Sequence, residues 1–448
     1  MKATSAEIAR WTGGRLVGGN VSVAGVSHDS RMLNPGALFV ALPGEQRDGH
    51  EFVPAIASRA GAVLVSREMA VDVPQIVVSD TLQALQEMAR QWLLSLDLRV
   101  VALTGSNGKT TTKSLIAAIL RRVARVHATP GNYNNEIGVP LTVLGFSREH
   151  QYGVVEMGCG KPGDIDELTR IAPPDAALVT NIAPAHLERL GTLEGVAQAK
   201  AGIYRGLRGE GVAVINADDA FADYFRAQAG RLPVIDYAID APAAVRAESL
   251  QLGLRSRFRL VTPSGSEAIE LPLPGRHNVM NALAAASLAL AVDVPLSAIA
   301  GALAQVEAVA GRQRRMQVRG GVLYDDSYNA NPGSLSAAIE TLGLEATPRW
   351  LVLGDMAELG AEGISLHARC GALARARGIE RLYAIGPLSA ATVEAFGSNA
   401  RHFTRMEDLI AAVLQDWEPR VTALVKGSRS AGMERVVSAL AAAPVETH

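Results

Sequence analysis

The sequence predicts an α/β protein of three domains. They are a small N-terminal α/β domain (1–97), a central P-loop domain with a mostly parallel sheet plus a small antiparallel sheet (98–311), and a C-terminal Rossmann-like domain (312–448). Three observations carry this expectation. Apolar runs with polar C-terminal ends alternate with helical stretches, the pattern of a parallel sheet whose site lies along one edge. One such run, Leu98 to Ala102, leads directly into Leu103-Thr104-Gly105-Ser106-Asn107-Gly108-Lys109-Thr110-Thr111-Thr112, a glycine turn followed by a helix start. The chain has 448 residues, too many for one ordinary core at roughly 150 residues per domain.

Composition narrows the function classes. A hydrophobic content of 48% allows sizeable cores, and 43 Lys+Arg against 45 Asp+Glu leave no global basic field of the kind nucleic-acid binding needs. Met1 to Arg10 lacks the apolar core of a signal peptide, and no run approaches the roughly 18 apolar residues of a membrane span. A cytoplasmic location without membrane insertion is expected. Cys159 and Cys370 are far apart and lack metal-ligand spacing, so they read as reduced thiols, with an inert role favoured for Cys159 in its glycine-rich turn.

In the first domain, Ala37 to Leu42, Ala62 to Val65 and Gln75 to Val78 read as strands. The intervening Ser27-His28-Asp29-Ser30-Arg31 and Asp48-Gly49-His50 have donors enough for a diphosphate or sugar, and solvated turn chemistry accounts for them equally well. Thr81 to Leu96 is helical in pattern and bridges to the central domain.

There, backbone N–H groups at a helix N-terminus, two glycines that let the chain approach phosphate oxygens, the Lys109 charge and the Thr110 hydroxyl make a phosphate and magnesium cradle. The usual pattern has its first glycine six positions before the lysine, where this chain has Leu103; Gly105 lies four before. A glycine turn that binds nothing is the competing reading. Leu115, Ile116, Ile119, Leu120 and Val123 fall on one helical face behind the loop.

Gly131 to Pro140 holds three asparagines, which suit turns or amide recognition of a ligand. Gln151 to Gly158 reads as a buried strand ending at Glu156, placed to meet a phosphate-held metal ion. The next strand ends at Thr180-Asn181, with His186 just beyond, a metal ligand or a structural histidine with equal support. A helix from about Thr192 carries Lys200, and residues 244–273 alternate as antiparallel strands. Asn278 and Asn281, one turn apart on an alanine-rich helix, suit a purine edge or helix capping. In the last domain Gly321 to Asp326, Trp350 to Gly354, Arg381 to Ile385 and Ala423 to Lys426 read as strands, and Arg312 and Asp326 could reach a nucleotide held by the central domain.

Taken together, Thr104 to Thr110, Glu156, Thr180-Asn181 with His186, Lys200, His277-Asn278 with Asn281, and the Arg312/Asp326 region resemble, in order and spacing, the Mur ligases. Those are ATP-dependent amide-forming enzymes of bacterial cell-wall precursor synthesis. Ser27 to Arg31, Pro35 to Leu42, Gly131 to Pro140, Asp325 to Pro332 and Leu353 to Gly360 are similar to the members that join D-alanyl-D-alanine to UDP-N-acetylmuramoyl-tripeptide. Met157-Gly158-Cys159-Gly160-Lys161 departs from the family, which often has alanine and asparagine after the glycine.

The resemblance implies ATP and two Mg2+ ions, with Thr110 and Glu156 at the first ion and His186 at the second, and a carbamylated Lys200 as a further metal ligand. It implies catalytic roles for Lys109, Lys200, His186 and Glu156, and nucleotide contacts from Gly105, Ser106, Asn107, Gly108, Lys109, Thr110, Thr111 and Asn181. Asn278 and Asn281 would hold adenine, and Arg312 and Asp326 the phosphates and ribose, which implies domain closure. Substrate contacts are expected from Ser27, Asp29, Ser30, Arg31, Asp48, Gly49 and His50 for the UDP-sugar, and from Asn134, Asn135, Tyr328, Asn329 and Asn331 for the peptide and dipeptide. A monomer is expected. A folate polyglutamate ligase shares the central motifs but not Ser27 to Arg31; a P-loop NTPase switch and a non-catalytic UDP-sugar-binding protein are the rivals from other classes.

Overall fold

In the computed structural model, which describes residues 1–44, 47–184 and 187–442, three sheets follow one another along the chain. The N-terminal sheet has the order Arg15–Val17, Gln75–Val77, Ala62–Val65, Leu38–Val40, Val26–Ser27, parallel except for its first pair. Lys2–Thr4 and Ser22–Ala24 pair separately beside it. Leu38–Val40 and Ala62–Val65 are buried at every position, as strands of a covered parallel sheet must be.

The central sheet has nine strands. Its parallel part runs Val126–Ala128, Tyr152–Glu156, Arg99–Thr104, Ala176–Val179, Val212–Asn216, Val234–Ala238, Val245–Gln251. The antiparallel segment expected over 244–273 is not a separate small sheet. Val245–Gln251 pairs parallel with Val234–Ala238, and Ser256–Thr262 and Gly265–Leu271 continue the same sheet as antiparallel edge strands.

The chain adds Val126–Ala128 and Tyr152–Glu156 on one side of Arg99–Thr104 and then crosses to add Ala176–Val179 on the other. That reversal opens a crevice at the C-terminal ends of the strands, where open α/β sheets bind ligands. The helix Lys109–Leu120 starts in this crevice and buries Leu115, Ile116, Ile119 and Leu120, each contributing roughly 1.5–3 kcal/mol of apolar burial. Val123 does not share that face: the helix stops at Leu120, and Val123 lies in the following turn, 45% exposed.

The C-terminal sheet runs Arg314–Val318, Gly321–Asp326, Thr422–Lys426, Arg349–Gly354, Arg381–Ile385, Ala400–Phe403, parallel apart from its first hairpin. Helices cover both faces, with Pro332–Leu342 and Gly363–Ala376 on one side and Met406–Asp416 and Glu434–Ala442 on the other. The N-terminal and central sheets instead share one apolar core, in which Leu38, Leu64 and Ile76 are joined to Val100, Ala102 and Val155 through the helix Thr81–Leu94. Trp92 at the end of that helix donates its indole N–H to the Phe146 carbonyl at 3.1 Å. Among the described residues no helix is long and apolar enough to cross a membrane.

Candidate active site

The glycine loop leaves the buried strand end at Thr104 and turns with φ values of +144° at Gly105 and +80° at Gly108. Neither position tolerates a side chain. A Cβ on Gly105 would lie 1.8 Å from Thr180 Oγ1, and one on Gly108 would lie 2.3 Å from Asn281 Oδ1. Between them the loop is tied to the neighbouring strand end. Asn107 N–H donates to Asn181 Oδ1 at 3.1 Å, and its carbonyl accepts from Thr180 Oγ1 at 2.6 Å and Asn181 Nδ2 at 3.1 Å. Ser106 N–H donates to the Asn181 carbonyl at 2.9 Å.

A cavity of about 450 Å³ opens over this loop. Ser106, Asn107, Gly108, Lys109 and Thr110 form one wall, Glu156, Gly158 and Cys159 the floor, and Arg312, Tyr328 and Asn329, in loops flanking the first hairpin of the C-terminal sheet, the far wall. Asn132, Asn134 and Asn135 also line it. Lys109 Nζ donates to the carbonyls of Gly105 at 2.6 Å and Ser106 at 3.3 Å. Burial, with the nearby Lys200 and Arg312 charges, pulls its pKa down to about 7 against the opposing pull of Glu156. Such a cation regains its proton affinity when a polyanion enters.

Glu156, 2% exposed, ends its strand beside the helix start. Its Oε1 lies 3.4 Å from Thr110 Oγ1 and accepts from Asn134 Nδ2 at 2.8 Å, while Oε2 has no hydrogen bond and sits 3.1 Å from Lys113 Nζ. Burial would push this carboxyl up; Lys113, Lys109 and the Asn134 amide outweigh it and hold its pKa below the ordinary value. Two converging oxygens, Thr110 Oγ1 and Glu156 Oε1, fit a Mg2+ ion that takes its remaining ligands from phosphates and water. Among the described residues no group of three or more His, Cys, Asp or Glu gathers that could hold a metal without such help. His186 lies outside the described residues.

Lys200, the last residue of the helix Leu193–Lys200, is 1% exposed. Its ammonium has no hydrogen-bond or ion-pair partner among the described residues, and burial lowers its pKa. Cys159 nearby is also buried, its thiol pushed up by burial, which favours the inert reading.

Several expected contact residues have their polar atoms engaged within the protein. Asp326 forms a buried ion pair with Lys426 at 2.6 Å through Oδ2 and accepts from Gln313 N–H at 3.3 Å through Oδ1, so both oxygens already have a partner within the protein. Asn281 accepts from Thr112 Oγ1 at 3.3 Å, donates to Asn278 Oδ1 at 3.3 Å and packs against Gly108, beneath the loop. Asn278 donates to the Pro274 carbonyl at 2.7 Å and lines a second cavity of about 180 Å³, a slot in which Leu115, Ala118 and Val309 stand beside polar groups of Thr111, Gln305 and Gln313.

In the N-terminal sheet, His50 is 1% exposed. Its Nδ1 meets Asp48 Oδ1 at 2.6 Å and its Nε2 accepts from Ser66 N–H at 2.9 Å, which leaves no ring nitrogen for a ligand. Gly49 N–H donates to the Leu42 carbonyl. Asp29 is consumed by Arg31, whose backbone and guanidinium donate to both its oxygens, and Ser27 Oγ donates to the Asp29 carbonyl at 2.9 Å. Ser30 accepts through its carbonyl from Arg59 at 2.7 Å. These loops lie apart from the residues that line the 450 Å³ cavity.

From the C-terminal side Arg312 reaches Thr110 Oγ1 at 3.3 Å and lies over the Tyr328 ring at 4.2 Å; its Nε is buried without a partner. Asn135 Oδ1 accepts from Gly138 N–H at 2.9 Å, and Asn329 accepts from Ala330 N–H. Asn331 caps Pro332–Leu342 and bonds to Asn107.

Three descriptions of one family cover most of the chain: the Mur ligase family catalytic domain over residues 22–93, the Mur ligase middle domain over 103–289, and the Mur ligase glutamate ligase domain over 311–429. The chain belongs to the Mur ligase family. It is 42% identical to the UDP-N-acetylmuramoyl-tripeptide–D-alanyl-D-alanine ligase of Escherichia coli K12, across 98% of both chains. The crystal structure of MurF from Acinetobacter baumannii superposes with a TM-score of 0.92 at 33% identity, covering 98% of this chain and 99% of that one. MurF ligase from Thermotoga maritima, solved in complex with ADP, gives a TM-score of 0.83 at 25% identity over 93% and 97% of the two chains.

Within this Mur ligase, sequence reasoning passed over Lys113, and it placed Thr180 at a strand end without giving its hydroxyl a role. Lys113 stands one helical turn past Lys109, and that spacing is the one signal that would have pointed it at the same carboxylate. Nothing in the sequence marks Thr180 as the hydroxyl that closes the loop.

Proposed function

We propose that the chain is an ATP-dependent amide ligase that joins D-alanyl-D-alanine to UDP-N-acetylmuramoyl-tripeptide, yielding the UDP-linked pentapeptide precursor of peptidoglycan. The observation that carries the chemistry is a single cavity faced by Lys109, Thr110 and Glu156 from the central sheet and by Arg312 from the C-terminal segment. Two chain segments therefore grip one polyphosphate. The full-length likeness to the tripeptide ligases, N-terminal unit included, supports these substrates over a folate substrate, and the ADP complex of a relative supports ATP as the nucleotide.

A free carboxylate is a poor electrophile, so the tripeptide's terminal carboxylate oxygen first takes the γ-phosphoryl group and ADP leaves. The amine of D-alanyl-D-alanine then attacks the acyl carbon; the C–N bond forms, phosphate leaves and the amine loses a proton. Phosphoryl transfer asks the protein mainly for positioning and charge neutralisation. Lys109, held over the loop by two carbonyls, meets the β- and γ-oxygens, and Arg312 meets them from the opposite wall. Thr110 and Glu156 would hold one Mg2+, which when bound supplies Lewis-acid neutralisation of the phosphate charge. The slot beside Asn278 takes the adenine. A monomer acting in the cytoplasm fits this role.

Burial lowers the Lys200 pKa and so favours the neutral amine, the form that adds carbon dioxide to give a carbamate and release a proton. The resulting anion would serve as an oxygen ligand beside the cavity floor, as the family resemblance implies, with His186 as its partner.

The test is phosphate release from MgATP with each substrate alone and with both, product mass read in parallel. Release that needs both substrates, gives the pentapeptide and disappears in Lys109→Ala is expected. Release indifferent to both substrates would replace the ligase by an NTPase.

A further inference from the structure

Lys113 is 5% exposed, and the phosphate chemistry described above makes no use of it. It stands in the second turn of Lys109–Leu120, and its ammonium meets two partners. It donates to the Gly131 carbonyl at 2.7 Å and lies 3.1 Å from Glu156 Oε2. The two side chains are 7% and 2% exposed, so this is a buried ion pair. A buried charge needs a partner, because desolvation of either member alone is far more costly than burial of the pair. Lys113 supplies the charge that Glu156 needs.

That pairing has a consequence for the cation. With Lys113 against it, Glu156 is already neutralised, and Arg312 stands close by as a further positive charge beside a partly protonated Lys109. Immediately around Glu156 and Thr110, a divalent ion entering alone would meet an excess of positive charge. The several negative charges of a triphosphate reverse that balance and supply the remaining oxygen ligands.

Resting on the MgATP reading of the cavity, we infer that Lys113 is a positioning residue that stands in for a divalent cation on the Glu156 carboxylate, so that metal and polyphosphate load together. Through the Gly131 carbonyl the same ammonium pins the asparagine loop, whose Asn134 amide fixes the other carboxylate oxygen. Glu156 is thereby oriented before any ligand arrives.

The test measures Mn2+ binding to the whole protein by electron paramagnetic resonance, without nucleotide and with the β,γ-imido analogue of ATP. Wild type is expected to bind Mn2+ at least about tenfold more tightly with the analogue than without it. In Lys113→Gln, which keeps a donor for Gly131 but no charge, nucleotide-free Mn2+ affinity should rise about tenfold and the gap should shrink; Lys113→Arg should keep the wild-type gap. Without metal, Lys113→Met should lose about 5–10 °C in thermal midpoint, and the Lys113→Met/Glu156→Gln double variant should recover much of it. Equal Mn2+ affinity in wild type with and without the analogue would overturn the inference even if no variant folds, as would an unchanged nucleotide-free affinity in Lys113→Gln. Failure of the analogue itself to bind would instead remove the MgATP reading.

Discussion

Asn331 donates its side-chain amide to Asn107 Oδ1 at 2.7 Å, across 224 positions of sequence. One residue is the N-cap of the first helix after a C-terminal strand; the other sits at the tip of the phosphate-binding loop. The glycine loop and the helix that follows the C-terminal strand Gly321–Asp326 are thus bonded directly to each other, so nucleotide binding should be sensitive to this one hydrogen bond.

The bond can be separated from the cap. Asn331→Ser keeps a capping oxygen and loses the reach to Asn107; Asn331→Ala also loses the cap, which costs about 1 kcal/mol of stability. Both variants are expected to lower kcat/KM for ATP by about tenfold. Asn107→Ala should do the same, and Asn107→Ala/Asn331→Ser should be no worse than either single variant, since both remove one interaction. Steady-state phosphate release in the four proteins checks this; strictly additive losses would show that the two amides act separately.

Gly105→Ala should abolish nucleotide binding. The left-handed backbone alone costs roughly 1–3 kcal/mol for a residue with a Cβ, and that Cβ would meet Thr180 Oγ1 at 1.8 Å. Thr180→Ala removes the obstacle together with the hydroxyl bonded to the Asn107 carbonyl, so Gly105→Ala/Thr180→Ala should bind nucleotide better than Gly105→Ala. Calorimetric titration with ADP is the measurement.

Lys109→Ala should lower kcat by about 10²–10³-fold, the usual cost of removing one preorganised charge from a transition state. The fold should persist, because Lys109 Nζ bonds only to carbonyls of its own loop. Unchanged circular dichroism with lost turnover is expected.

His277 faces Gln313 Oε1 at 3.1 Å, where the central helix meets the start of the C-terminal sheet. Burial, aided by the Lys426 charge and opposed by the Gln313 hydrogen bond, lowers its pKa to about 4. The folded state then binds fewer protons than the unfolded chain between about pH 4 and 6.5, so stability rises with pH across that window and is lost as pH falls through it. The effect is on the order of 1–3 kcal/mol at most. Thermal midpoints between pH 7 and 5 should fall in wild type and fall less in His277→Gln.

The fold and the centre of the site were legible in the sequence because both are written locally. A buried strand, two glycines, Gly108-Lys109-Thr110 and an amphipathic helix occupy consecutive residues, and Glu156 closes the strand beside them. What was not legible depends on contacts between distant segments. Asn278 and Asn281 lie on one helix face as expected, yet only the approach of the glycine loop shows Asn281 filling the space against Gly108. Asp326 looks free until Lys426 arrives from a strand added 100 residues later. The antiparallel strands alternate as an independent sheet would, and nothing local reveals that Val245–Gln251 pairs parallel with its neighbour. Val123 keeps the helical period beyond the last helical residue, since periodicity carries no stop signal.

The single apolar core that joins Leu38 and Leu64 to Val100 and Ala102 also dictates how the molecule comes apart. Residues 1–97 keep a small cluster of their own around Phe39, Val53 and Val63, but the other face of their sheet is buried together with the central domain, so the first two sheets should behave as one cooperative unit in hydrogen exchange, and the C-terminal sheet, with its own two clusters, as another. Motion would then have one natural seam, the segment between the helix Leu296–Leu303 and the strand Arg314–Val318, and the chain is expected to work as a two-part jaw.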